Sequence, residues 1–310
     1  MSVSADHILD RIRLKQQIVK WRSLAILLIL LVGVLLTSTW SDNKMVGLPE
    51  DYIARVDIDG MIVEDLHRDE ILKSLKTDKH AKALLLYIDS PGGTIVGGEM
   101  LYNAVEAFRK QKKPVVAVMG GMATSGGYMA AVAADRIYAH NGTLTGSIGV
   151  LIQSAEVTEL AKKIGITLQT FKSGPLKATP SPFEKLTPEA KDVIDASIQD
   201  AYNLFVEMVA AHRTELTIEQ VRRLADGRVY TGRQALKEKL IDAIGGEDEA
   251  IEWLKKEKSI AQGAKVRKIE VKKPTKNFQE LLGTVFHGTL PSSLFEKKEG
   301  LVAVWSPELM

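Results

Sequence analysis

The stretch "MGGMATSGGYMAA", residues 119–131, sets one serine, Ser125, among glycines and alanines directly after the apolar run Val115 to Val118. A hydroxyl at such a strand-to-helix junction meets the free amides of a helix N-terminus. Those amides can hold a developing oxyanion, and the one following a nucleophile often supplies a donor. The same pattern suits a plain serine N-cap beside a tightly packed helix, so the local sequence leaves both readings open. A second glycine turn, "DSPGG" at Asp89 to Gly93, lies one crossover earlier and is expected at the same edge of the sheet, where its amides would complete an oxyanion hole. Ser90 reads there as a turn hydroxyl bonded to its own backbone, and Asp89 as a turn or cap residue.

Nothing in residues 119–131 can take a proton from Ser125, so the base has to come from elsewhere. Of the six histidines, only His140 in "YAHNGTLTGSIG" is close to the motif, and it reads better as a strand-end residue capping a turn. Lysine offers a second route, since an amine can act as general base where apolar surroundings favour its neutral form. "FKSGPLKATPSPF" contains such a lysine. Lys177 is flanked by Leu176, Ala178 and Pro175, and Pro180 and Pro182 oppose helix, so a rigid extended segment is expected. Lys172 and Lys185 read as solvated surface charges.

These residues need a scaffold. "YIARVDIDG" reads as a strand closed by a turn, "DEILKSLKTD" as a short helix, "AKALLLYIDSPGG" as a strand entering a glycine turn, and "GEMLYNAVEAFRK" as a helix. "KPVVAVMGG" and "DRIYA" are further strands. This alternation predicts an α/β fold of parallel strands with crossover helices. From Thr187 to about Leu224 the pattern predicts one long amphipathic helix, with Thr187 as N-cap and Pro188 at the first helical position. "ADGRVYTGRQALKEKLIDAIGG" reads as a turn, an extended piece and a helix ending at Gly245 and Gly246. The helix "EDEAIEWLKKEK" follows. The basic stretch from Lys255 to Lys276 is expected to be a solvated, partly extended tail.

The 310 residues suffice for one large domain or two modest ones. A net charge of +2 makes no case for nucleic acid, and the absence of cysteine excludes disulfides and thiolate chemistry. "SLAILLILLVGVLLTSTW", residues 23–40, carries no charge and is long enough to span a bilayer, with Trp21 and Trp40 as interfacial anchors. It exceeds a typical signal-peptide core and lacks a clear cleavage site, so it reads as an uncleaved anchor. Arg11, Arg13, Lys15, Lys20 and Arg22 precede it and only Lys44 follows closely, which places the N-terminus in the cytoplasm and the remainder outside. The expected organisation is a cytoplasmic segment 1–22, an anchor 23–40, a linker 41–50, a peptidase domain 51–255 and a basic extension 256–310.

Together, "DSPGG", "MATSGGYMAA", "TLTGSIGV" and "KSGPLK", in this order between Tyr52 and Trp253, resemble the bacterial signal peptide peptidase A family, also called protease IV, in its single-domain membrane-anchored form. The resemblance implies a ClpP/crotonase-like fold and a Ser/Lys dyad, with Ser125 as nucleophile and Lys177 as general base. It implies that Ser147 orients the lysine amine and that Gly93 and Gly126 supply the oxyanion-hole amides. It further implies signal peptides and other membrane-associated polypeptides as substrates, no metal or cofactor, and a homo-oligomer in which one protomer's lysine can serve its neighbour's serine. Membrane lipid is the expected partner of the anchor. Three alternatives stay open: a related membrane protease cutting one defined partner, a crotonase-type enzyme holding a thioester enolate between the two glycine turns, and a non-catalytic membrane scaffold of the same fold.

Overall fold

The computed structural model describes residues 20–22, 24–28, 50–271 and 302–304. The chain divides into two units, Met1–Glu50 and Asp51–Met310. In the first, residues 20–22 and 24–28 are helical and exposed. The rest of the anchor expected at 23–40, and the linker up to residue 49, lie outside the described residues, and no helix among the described residues is long and apolar enough to cross a membrane.

The second unit is built on an eight-stranded sheet. In chain order it comprises β1 (Tyr52–Asp59), α1 (Leu66–Thr77), β2 (Ala81–Ser90), β3 (Gly92–Thr94), α2 (Ile95–Arg109), β4 (Val115–Thr124), α3 (Gly126–Val132), β5 (Arg136–Ala139) and β6 (Leu144–Gly146). There follow α4 (Thr158–Lys163), α5 (Pro188–His212), α6 (Ile218–Leu224), β7 (Val229–Thr231), α7 (Gly232–Lys237), β8 (Ala243–Ile244), α8 (Glu247–Glu257), β9 (Lys265–Ile269) and β10 (Val302–Val304). The main path runs β7-β6-β4-β2-β1-β9, and β5 joins β4 to β8. Every pairing on it is parallel except β6 with β7. The expected parallel α/β architecture is therefore present.

The runs Ala83–Leu86 in β2 and Val115–Met119 in β4 are apolar without interruption because both faces are covered there. Leu84 and Leu86 face one core with Phe108, Tyr128 and Phe205, whereas Leu85 joins Ile53, Val116, Val118 and Leu254 on the other. Alternate residues thus serve opposite layers, and burying each such side chain contributes about 1.5–3 kcal/mol. α3 lies wholly inside: all seven of its residues are buried.

Three local expectations are corrected. The helix opening at Thr187, whose side chain accepts from the Ala190 amide, ends at His212 and does not reach Leu224. Thr217 starts a new helix through a capping box with Gln220, which satisfies orphan amides that a continuous helix would not have. The helix expected to end at Gly245 stops at Lys237, because Ala243 and Ile244 pair with Tyr138 and Ala139 as a strand. Within the basic stretch, Lys265–Ile269 is β9, paired in parallel with β1.

Candidate active site

β4 forks the sheet at the point where Ser125 follows it. Val116 to Met119 pair with β5, while Met122 to Thr124 pair with β6. The chain then reverses into α3 through Ser125 itself, at φ 54° and ψ −117°. A positive φ on a residue with a Cβ is a strained turn of about 1–3 kcal/mol, and a strand-to-helix turn of this kind sets a side chain at the end of the sheet. The Ser125 amide donates to the Gly146 carbonyl (2.8 Å), and its carbonyl accepts from the Met129 amide (2.9 Å). Its side chain makes no cap hydrogen bond. Ser125 is 1% exposed, and its Oγ has no hydrogen-bond partner among the described residues. A simple N-cap serine would spend that oxygen on the helix amides, so the cap reading fails here.

Ser147 stands beside it, following β6 as Ser125 follows β4. It is 6% exposed, at φ 50°, and its amide donates to the Arg228 carbonyl (2.9 Å). Gly146 before it has φ 80°, and a Cβ there would lie 2.6 Å from the Tyr230 ring, so glycine is required.

The "DSPGG" turn occupies the neighbouring edge. Ser90 Oγ donates to the Gly60 carbonyl (2.6 Å) and accepts from the Gly92 amide (3.1 Å), the turn role expected of it. Asp89 Oδ1 accepts from the Met122 amide (3.0 Å), tying this turn to the end of β4. Gly93 is pressed against Ile62: a Cβ would fall 1.7 Å from the Ile62 carbonyl oxygen. Thr94, which sequence reasoning passed over, caps α2 by accepting from the Gly97 amide (3.0 Å) and donates to Glu64 Oε1 (2.7 Å). Its position just before a helical pattern was the available signal.

Lys177 is not brought to the serines within the single chain. It is exposed, and no hydrogen bond or ion pair of its amine is found among the described residues; its backbone amide donates to the Gly174 carbonyl (3.2 Å). The burial expected of it is absent here. The segment around it also carries exposed apolar side chains, among them Leu160, Ile166, Leu168, Phe171 and Phe183, with Phe171 92% exposed. Lys172, expected to be solvated, instead pairs with Glu184 and is largely buried. His140 is a turn residue as expected: its amide donates to Thr143 Oγ1 (3.0 Å).

The sequence pattern of peptidase family S49 matches residues 107–261, a span that includes Ser125, Ser147 and Lys177. The chain is 41% identical over 203 residues to a putative protease of Synechocystis, covering 65% of this chain and 72% of that protein. The chain belongs to peptidase family S49. This S49 peptidase is also 38% identical over 207 residues to a putative signal peptide peptidase SppA of Enterococcus faecium, covering 67% of this chain and 59% of that one. With Protease 4 of Haemophilus influenzae it shares 32% identity over 246 residues, 76% of this chain and 40% of that one. It thus spans less than two thirds of the latter two relatives. The family is the one to which the four motifs pointed, and the S49 peptidase is a serine peptidase.

Proposed function

We propose that this S49 peptidase is a membrane-anchored endopeptidase that degrades signal peptides and other membrane-associated polypeptides, with Ser125 as nucleophile and Lys177 as general base. The observation that carries this is the buried, unpartnered Ser125 Oγ on a strained turn at the N-terminus of a fully buried helix. Ser125 Oγ attacks the scissile carbonyl and passes its proton to the Lys177 amine. The Gly93 and Gly126 amides hold the tetrahedral oxyanion, and the lysine then gives the proton to the leaving amine. Water, deprotonated by the same amine, releases the acyl group and restores the serine.

A base needs a free lone pair, and burial favours the neutral amine. Lys177 is exposed in the single chain, so its burial has to come from a second copy whose Ser125 it serves. The exposed apolar residues around Lys177 support such a homo-oligomer. Ser147 then orients the incoming amine. The repeated strand, glycine turn and helix units support reading the fold as ClpP/crotonase-like, and residues 23–40 are the anchor, with the peptidase domain on the extracytoplasmic side. A crotonase-type reaction would leave Ser125 without a task.

The test is Ser125→Ala with a fluorophosphonate probe and mass mapping. The parent is expected to be labelled at Ser125 and the variant to cleave no peptide while assembling normally. Cleavage by the purified variant would overturn the assignment.

A further inference from the structure

Lys177 sits on a loop whose two ends are joined by an ion pair. Lys172 Nζ donates to Glu184 Oε2, 12 residues further on, and the two side chains are 14% and 35% exposed. Lys177, near the middle of the span, is exposed. Close to the same end, the Val157 amide donates to the Pro182 carbonyl (2.8 Å). Among the described residues, the other hydrogen bonds of residues 173–183 stay inside the loop. The Lys177 amide donates to the Gly174 carbonyl (3.2 Å), the Phe183 amide to Ser181 Oγ (3.3 Å) and the Glu184 amide to the Ser181 carbonyl (3.4 Å). Pro175, Pro180 and Pro182 each fix a φ and stiffen the interior. A stiff loop closed at its base carries the geometry of its ends to its tip, so the ion pair bears on where Lys177 stands.

We infer that Lys172 and Glu184 are positioning residues, an ion-pair clasp that closes the base of this loop and holds Lys177 out towards the Ser125 it serves. The inference rests on the reading of Lys177 as general base. The two lysines of "KSGPLK" then have different tasks: Lys172 keeps its charge and a fixed partner, and Lys177 is left without one, ready to carry a proton. Lys172 and Thr170 beside it hold the Glu184 carboxyl below its ordinary value, so the carboxylate stays charged at neutral pH. A pair this near to solvent contributes little to global stability, so its effect is on local order. Opening the clasp returns conformational freedom to the loop. An amine displaced by about 1 Å from its working position can lose about 10²-fold in rate, so even partial loosening should be visible in kcat.

The test uses the full chain, at a concentration where assembly is complete, and two readouts. Glu184→Gln and Lys172→Gln should each lower kcat for a peptide substrate by about tenfold, with KM and the unfolding midpoint unchanged. Lys172→Arg, which keeps the charge, should stay near the parent. In the Ser125→Ala background, where no cleavage occurs, hydrogen exchange of the amides of residues 173–181 should quicken by about tenfold in Glu184→Gln and Lys172→Gln and not in Lys172→Arg. Unaltered exchange in both glutamine variants overturns the clasp. Faster exchange at unchanged kcat overturns its positioning role, as does a loss of Lys172→Arg activity at every pH while Glu184→Gln remains active, which would make Lys172 the base. Failure of the Lys177 reading shows separately, as cleavage that survives Lys177→Met, and leaves the exchange result standing.

Discussion

Ser125 and Ser147 leave neighbouring parallel strands at one level, each directly after the paired residues Thr124 and Gly146, and each at a positive φ, 54° and 50°. Two serines in this conformation cost stability that glycine would not. We expect Ser125→Gly to stabilise the fold by about 1 kcal/mol while abolishing cleavage, and Ser125→Ala to gain nothing in stability. Denaturant midpoints at equal slope check this; a Ser125→Gly protein less stable than the alanine variant would count against stored strain.

Ser147→Ala removes the hydroxyl assigned to the lysine amine and little else. Losing a hydrogen bond to a charged or basic group costs about 1.5–3 kcal/mol, which is roughly tenfold or more in rate. The loss should fall on kcat, with KM unchanged and the pH profile altered. An equal loss through KM alone would make Ser147 a substrate contact.

Gly93→Ala should be inactive and poorly folded, because its Cβ would lie 1.7 Å from the Ile62 carbonyl oxygen, and backbone on both sides would have to move. Gly142→Ala provides the contrast, since no atom lies within 4 Å of the added carbon. Its unfolding midpoint should stay within about 0.5 kcal/mol of the parent. A soluble Gly93→Ala protein with the parent's unfolding midpoint would show that the Ile62 backbone gives way to the added carbon.

Local patterns in the sequence carried much of this fold. Thr187 and Pro188 announce α5, and the apolar runs around Leu85 and Val116 announce buried parallel strands, because capping and burial leave their mark within a few residues. The end of α5 was missed because the Thr217 and Gln220 box interrupts a pattern whose apolar spacing continues past it. Ser125 was legible as a candidate, yet its freedom from the cap was not: that depends on its φ and on the Gly146 carbonyl, contributed by a distant strand. Pairing of Val302–Val304 with β3 left no local trace either, since three apolar residues fit many partners.

Under the proposed Ser/Lys mechanism, the exposure of Lys177 in the single chain predicts that activity requires assembly. Ser125→Ala and Lys177→Ala should each be inactive alone, and their mixture, after dissociation and reassociation, should recover about a quarter of parental activity if sites form at random between adjacent copies. Native mass spectrometry establishes that hybrids are present. Hybrids without activity would place both members of the dyad in one chain.

His212 closes the C-terminal end of α5. Its Nε2 lies 2.9 Å from the Tyr102 hydroxyl and its Nδ1 3.0 Å from Arg109 Nη1, which donates to it. Burial pushes the imidazole below its ordinary value; Arg109 and Arg213 push the same way, while Glu106 and Asp135 oppose them. The folded protein therefore binds this proton less readily than the unfolded chain does. Stability is fully present above the unfolded value, near pH ~6.5, and is lost as pH falls below it towards the folded value. Denaturant midpoints should thus drop between about pH 7.5 and pH 5.5, and His212→Gln should flatten that drop while being less stable than the parent at the upper pH. The difference between parent and variant is the quantity that decides. Parallel curves would show that the buried imidazole contributes nothing to the acid sensitivity of the fold.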